Sequence, residues 1–274
     1  MSMKRMMNIF VVATFCVLSL QAATSTRFVI ITPSYNNQNW YTKNLESVFN
    51  QDYPRHLWRM IYIDDCSPDS TGKAVAEFVA QAGMQDNVTL VCNRTRKGAL
   101  ENIYNGVTSC ESDEVVVLLD GDDAFNGADV LSYLATIYAD ESVWMTYGQF
   151  VEWPSGKHGF CCDMPEEVVR TRGFRQSGIL PSHLRTFYAG LFHKIDKADL
   201  VDTEGHFYMM AWDVAIMVPM IEMACDNFKF LDKVLYEYNG TNPLSDHRLS
   251  RWLQLHIEGV IRKKPAYAKL ETLF

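Results

Sequence analysis

The segment Glu114-Val-Val-Val-Leu-Leu119 holds five consecutive apolar residues, three of them β-branched, and passes straight into Asp120-Gly-Asp122-Asp123. A run of this length with no polar alternation reads as a strand covered on both faces. Such a strand needs two flanking layers, and 274 residues of which 48% are hydrophobic can supply them. The pattern occurs three more times upstream, in Arg27–Thr32 before Pro33, in Trp58–Ile63 and in Asn87–Cys92. Helical spacing fills the gaps. Leu45, Val48 and Phe49 mark a helix over 41–51, and Val75, Phe78 and Val79 mark one over 69–82 that Gly83 closes. A third covers 99–107, after Lys97-Gly98. Strands that alternate with helices predict an α/β fold: a Rossmann-like, mostly parallel sheet with helices on both faces. Disordered, collagenous and disulfide-miniature classes are excluded by the same composition.

The second half alternates less cleanly. It predicts a strand over 143–150, a polar, glycine-containing stretch over 153–180, an apolar helix over 213–224 that includes Pro219, and an amphipathic helix over 245–261. No repeat or linker divides the chain, so residues 24–274 are expected to form a single domain with halves 24–140 and 141–274. Ahead of it, twelve mostly apolar residues from Ile9 to Leu20 follow Lys4 and Arg5 and precede Ala22, Ala23, Thr24 and Ser25. Residues 1–23 thus read as a signal peptide or, uncleaved, an N-terminal anchor. The run falls short of the roughly 20 residues of an ordinary membrane span. The expected location is the secretory pathway or outside the cell, and the cytoplasm if the leader is not functional.

A net charge of −8 argues against nucleic acid as a partner, since phosphate capture on a broad surface needs a basic field. Beyond Cys16 the chain has six irregularly spaced cysteines, which read as free thiols at least as readily as disulfides. Cys161 and Cys162 with His158 lack a second Cys/His pair at zinc spacing. Asn87, Asn93 and Asn239 begin glycosylation sequons, which matter only in a host that glycosylates exported chains.

Chemistry in an open parallel sheet gathers at the carboxyl ends of its strands. There the sequence puts Thr32-Pro33-Ser34-Tyr35, Asp64-Asp65, Asn93-Arg94-Thr95-Arg96-Lys97 and Asp120 to Asp123. Carboxylates as close as Asp120, Asp122 and Asp123 repel one another unless a cation lies between them, and their oxygens suit magnesium or manganese bridged to phosphate. A solvated, helix-capping turn is the plainer alternative. A calcium loop is excluded by Ala124, Phe125 and Leu131 at positions that need an oxygen ligand, glycine and glutamate. The Asp-x-Asp pattern also resembles the nucleophile motif of haloacid-dehalogenase-type phosphatases, but Ala124 and the late position in the chain fit that class poorly. Walker and dinucleotide glycine fingerprints are absent.

Taken together, FVIITPSYNN at 28–37, Ser47 to Gln51 before Asp52-Tyr53-Pro54, IYIDDCSPDSTG at 61–72, Asn93 with Lys97-Gly98 and Asn102, and VVVLLDGDD at 115–123 resemble glycosyltransferase family 2, the inverting GT-A class. The motifs fall in the family's order and cover 27–140 firmly and the chain to about 250 more weakly. The resemblance implies a GT-A fold and a nucleotide-sugar donor, a UDP-sugar first. It places Tyr35 against the nucleobase with Thr32 and Pro33 in the same wall. Asp64 and Asp65 would read base and ribose, and Lys97 would hold the nucleotide, with Arg94 and Arg96 as the next choices. Asp122 and Asp123 align with the metal-binding motif beside Asp120; Asp123 would be the direct ligand of a Mn or Mg ion, and His247 would complete its shell.

The family also uses an aspartate at the start of a helix as general base, and Asp213 fits. The glutamate that usually precedes it is replaced by Trp212. His183 and Arg185 are expected on the acceptor or phosphate side with Trp212. Asp213 would deprotonate the attacking hydroxyl from the face opposite the leaving nucleotide, so that displacement inverts the anomeric centre. The function implied is a metal-dependent inverting glycosyltransferase acting on a glycan, lipid or protein acceptor. The alternatives are a catalytically degenerate GT-A-like nucleotide-binding module and the phosphatase.

Overall fold

The computed structural model describes residues 26–243 and 250–274. Its strands are β1 (Phe28–Ser34), β2 (Trp58–Asp64), β3 (Val88–Cys92), β4 (Val115–Leu118), β5 (Ala124–Phe125), β6 (Met145–Trp153), β7 (Arg185–Tyr188) and β8 (Phe228–Asn239). The helices are α1 (Tyr41–Phe49), α2 (Thr71–Gln81), α3 (Ala99–Thr108), α4 (Val130–Tyr138), α5 (Glu166–Thr171), α6 (Ala189–Phe192), α7 (Trp212–Ala224) and α8 (Arg251–Arg262). All eight strands join one sheet in the order β3-β2-β1-β4-β7-β6-β8-β5.

Period-two side-chain alternation decides which helix covers which face. Phe28 and Ile30 of β1, with Met60 and Tyr62 of β2, pack under Leu45 and Val48 of α1, Val75 and Val79 of α2, and Leu131 and Leu134 of α4. Val29 and Ile31, with Ile61 and Ile63, pack on the other face against Leu100 and Ile103 of α3 and the apolar length of α7. Residues 214–224 of α7 are all buried, which accounts for a helix that is apolar all round rather than striped.

Strands β1 to β4 are mutually parallel, and β7 then runs antiparallel to both β4 and β6. Two reversals turn β6 back into the direction of β4, and β8 lies parallel to β6. The carboxyl ends of six strands therefore share one edge. The reversed strand β7 starts at that edge, with Arg185 opposite Leu118.

The second half holds more structure than its sequence suggested. The stretch 153–180 contains α5, and neither β7 nor β8 was expected from the chain pattern. The last helix runs over Arg251–Arg262, and the first residues of its expected span lie outside the described residues. It is tied down by a buried ion pair: Arg175 donates through Nε and Nη2 to the two Glu222 oxygens at 2.7 and 2.8 Å. Its Nη1 reaches the Ile261 carbonyl at 2.7 Å, and the Tyr267 N–H donates to Glu222 at 3.0 Å. Three distant segments thus meet at one carboxylate. The six cysteines in the described residues are free thiols.

Candidate active site

The loop after β4 is fixed from beneath by α1. Asn44, fully buried, donates its amide to the carbonyls of Asp120 and Asp123, each at 2.9 Å. Gly121 lies so close to the loop after β1 that a Cβ there would stand 2.6 Å from Asn37 Nδ2 and from Ser34 Cβ, so a side chain would push the turn off its seat. The turn consequently presents its carboxylates in a set order. Asp123 is the deepest: Tyr236 Oη–H donates to its Oδ2 and the Asn239 N–H to its Oδ1, both at 2.6 Å. Asp122 is more open and accepts from Asn242 Nδ2 at 2.6 Å. Burial pushes both carboxyls up from the usual carboxylate range, and at Asp123 repulsion from Asp122 and Asp120 adds to it.

Next to this turn are the ends of β1, β2 and β3. Asp65 accepts from the backbone N–H groups of Lys97 at 2.9 Å and Gly98 at 2.8 Å, and from Asn93 Nδ2 at 2.8 Å. Burial alone would raise its pKa, but these donors outweigh it and hold the carboxyl below its ordinary value. Asp64 is buried, with Oδ1 lacking a hydrogen-bond partner. Tyr35 is half-buried, and the guanidinium of Arg96 lies 3.8 Å above its ring. Lys97 turns its ammonium to Glu101 at 3.1 Å, which leaves Arg96 as the cation on the Tyr35 face. Thr32 is completely buried inside β1, and Pro33 lies beside it in the same strand, so both support the wall from within.

Opposite, at the start of α7, Asp213 Oδ2 accepts from Arg185 Nη2 at 3.2 Å and Oδ1 from the Val214 N–H at 2.8 Å. Arg185 is buried; it also reaches Ser182 Oγ at 3.2 Å and His183 Nδ1 at 3.0 Å, and its guanidinium lies 4.9 Å from the Trp212 ring centre. Burial, and then the Arg185 charge, drive the His183 pKa well below the histidine norm, so the ring is neutral and accepts at Nδ1. It stacks on Tyr236 with 4.3 Å between ring centres. Asp213, Arg185, His183, Tyr236 and Asp123 therefore form one continuous chain of contacts across the site.

The donor set suits a hard cation. Two carboxylates, one open and one deep, with charge repulsion unrelieved around them, match the way Mg and Mn are held by one or two carboxylates plus phosphate oxygens. Among the described residues no third His, Cys, Asp or Glu joins them to complete a protein-only cage. His247 lies outside the described residues.

The family model of glycosyl transferase family 2 matches residues 29–178, more than half of the chain and both the β1–β3 ends and the acidic turn. The chain belongs to glycosyl transferase family 2. Among its relatives, the poly(ribitol-phosphate) β-N-acetylglucosaminyltransferase TarS of Staphylococcus aureus is 28% identical over 100 residues, 36% of this chain and 17% of that protein. The putative teichuronic acid biosynthesis glycosyltransferase TuaG of Bacillus subtilis is 39% identical over 49 residues, 18% of this chain and 19% of that one. The matches thus span about a fifth of those relatives' own length. In structure, TarS 1–349 bound to UDP superposes with a TM-score of 0.58 at 20% identity, over 80% of this chain and 61% of that one. The mannosyltransferase PcManGT of Pyrobaculum calidifontis, bound to GDP-Man and Mn2+, gives 0.60 at 20% identity over 89% and 67%. The fold of this family 2 member is that of the GT-A glycosyltransferases.

Three supports of the acidic turn escaped the sequence reading. Tyr236 and Asn239 hold Asp123, and Asn242 holds Asp122. The alternating aromatics Phe228, Phe230, Tyr236 and Tyr238 carried a strand signal that pointed to the first two. Asn239 is buried, and its side-chain oxygen caps Thr241, so the sequon that begins there is part of the site's framework.

Proposed function

We propose that this protein transfers a sugar from a nucleotide-sugar donor to an acceptor hydroxyl with inversion of the anomeric centre. The observation that carries the reading is the convergence of the Tyr35–Asp65 end, the Asp122–Asp123 turn and Asp213 on one edge of the sheet. Tyr35 offers a ring face for the nucleobase, and Asp65, kept ionised by three donors, accepts from base or ribose. The chemistry that a bound Mn or Mg ion supplies at Asp122 and Asp123 is neutralisation of charge on the departing diphosphate. Asp213, held by Arg185, takes the proton from the attacking hydroxyl. Structural neighbours bound to UDP, UDP-GlcNAc and GDP-Man support a nucleotide-sugar donor, with a UDP-sugar as the first to try. The leader in residues 1–23 supports export or anchorage in a compartment supplied with sugar nucleotides; no helix in the described residues is long and apolar enough to cross a membrane.

The test is twofold. Mass spectrometry on UDP-, GDP- and dTDP-sugars with manganese should show nucleotide release for one of them. Asp213→Asn should lower that rate by about 10²–10⁴-fold while leaving nucleotide affinity in calorimetry unchanged. Full activity in Asp213→Asn would remove the base assignment, and nucleotide binding without turnover in the wild type would favour a degenerate binding module.

A further inference from the structure

On the α1 side of the acidic turn lies a pocket of about 160 Å³ that shares Asp122 with the proposed metal position and takes no residue from the Tyr35–Asp65 end or from the Asp213 group. Trp40 and Lys43 reach it from the start of α1, Asp122 from the turn, Trp153 from the end of β6, and Glu237 and Asn239 from the end of β8. Lys43 pairs with Glu237 and lies 4.4 Å from the Trp153 ring centre, which braces that indole although it is 41% exposed.

The decisive atom is Asn239 Nδ2. Asn239 is 3% exposed, and its Oδ1 accepts from the Thr241 N–H at 2.9 Å and Oγ at 2.6 Å, which fixes the amide's orientation. The remaining NH2 is buried with no hydrogen-bond partner among the described residues. An orphaned donor costs about 1–3 kcal/mol, a cost that an incoming acceptor atom would relieve.

The surrounding chemistry narrows what brings that atom. Two carboxylates against one lysine disfavour a phosphate or any other anion. An apolar ligand would strand the carboxylates and the amide. A bare cation has no use for a buried N–H donor. A pyranose ring meets the groups that the metal position leaves: its C–H face lies on an indole, a hydroxyl donates to Glu237, and one of its oxygens accepts from Asn239.

The pocket is on the sheet face that carries α1, α2 and α4, whereas Asp213 and Trp212 begin α7 on the opposite face. A ring held here approaches the acidic turn from the sheet face opposite Asp213. We propose that this pocket is a saccharide subsite that binds one pyranose ring of the acceptor or product chain, separate from the donor. Its place in catalysis rests on the glycosyltransferase reading; its sugar binding does not.

The experiment uses the full chain without nucleotide. Methyl β-glucoside, methyl α-mannoside, N-acetylglucosamine and cellobiose are titrated by saturation-transfer NMR and tryptophan fluorescence, against wild type, Trp153→Ala and Glu237→Gln. Saturable binding of at least one sugar is expected, weakened tenfold or more in both variants, with the UDP affinity and the thermal midpoint of Trp153→Ala unchanged. Absence of saturable binding for all four sugars, or equal binding by the variants, overturns the subsite. So does a Trp153→Ala variant that loses UDP-sugar affinity while keeping free-sugar binding, because the pocket would then belong to the donor. Sugar binding in a protein that fails to bind UDP would leave the subsite standing and remove the transferase reading instead.

Discussion

Replacing Glu222 by alanine perturbs a buried carboxylate at which α7, the 172–180 segment and the C-terminal residues are joined. The Arg175 and Glu222 side chains are 3% and 1% exposed, so neither charge has water to fall back on when its partner is removed. Glu222→Ala leaves a buried guanidinium with only the Ile261 carbonyl and leaves the Tyr267 N–H unpaired. Breaking one side of such a pair costs about 3–5 kcal/mol. At about 2–4 °C per kcal/mol for a chain of this size, the midpoint should fall by about 6–20 °C. The matched control is Arg175→Met with Glu222→Leu. Removing both charges cancels the uncompensated-charge penalty, but it leaves the Ile261 carbonyl and Tyr267 N–H without partners, at about 1–3 kcal/mol each where water cannot reach them. The double variant should therefore lie between the single variant and wild type. Urea denaturation with a constant m-value measures both. A single variant that loses less than about 1 kcal/mol, or a double variant less stable than Glu222→Ala, would refute the claim that the cost is an unpaired buried charge.

Three further outcomes follow from the site and its surroundings. Tyr236→Phe removes the hydroxyl donor to Asp123 and should cost about 1.5–3 kcal/mol in urea denaturation, with weaker nucleotide binding in the presence of manganese. Glu114 pairs with Arg59 at 2.9–3.0 Å, and although burial opposes it, this partner and the Glu111 N–H hold its carboxyl below the ordinary 4.5. A depressed carboxyl stabilises the fold above its unfolded pKa and loses that contribution as pH falls through the folded value, so Glu114→Gln should flatten the decline of the urea midpoint below about pH 4.5. Cys66 and Cys162 are exposed, while burial pushes the Cys110 and Cys161 thiols up to about 11; maleimide mass labelling of native protein at pH 7 should modify the first two and spare the second two until urea is added.

The nucleotide half was legible because each of its elements carries its own signal. Continuous apolar runs gave β1, β2 and β4, helical spacing gave α1 to α3, and each strand ended in a residue type with a recognisable job. The supports of Asp123 were not legible, because they come from β8, more than a hundred residues away, and join the turn only after two strand reversals that no local pattern encodes. The placement of the cations after β3 was also beyond the chain pattern: the family resemblance ranks Lys97 above Arg96 for the nucleotide, and the structure sets the Lys97 ammonium on Glu101 and the Arg96 guanidinium over the Tyr35 ring. Arg175 and Glu222 lie 47 residues apart in an uninformative stretch and an apolar helix, so their pairing could be seen only in three dimensions.

The exchange of the family's usual glutamate for Trp212 bears on whether the base still has its footing. A carboxylate at 212 would give Arg185 a second anion next to Asp213. Here the second partner is the indole, 4.9 Å from the guanidinium, which supplies cation–π attraction without adding negative charge. Among the described residues Arg185 thus has Asp213 as its one carboxylate partner, while Ser182, His183 and the Pro181 carbonyl take its remaining donors. That arrangement anchors Asp213 more firmly than helix capping alone would, since a cap needs no buried arginine. Under the proposed function the tryptophan is therefore a change in how Asp213 is held, and the Asp213→Asn variant tests whether that carboxylate takes the proton.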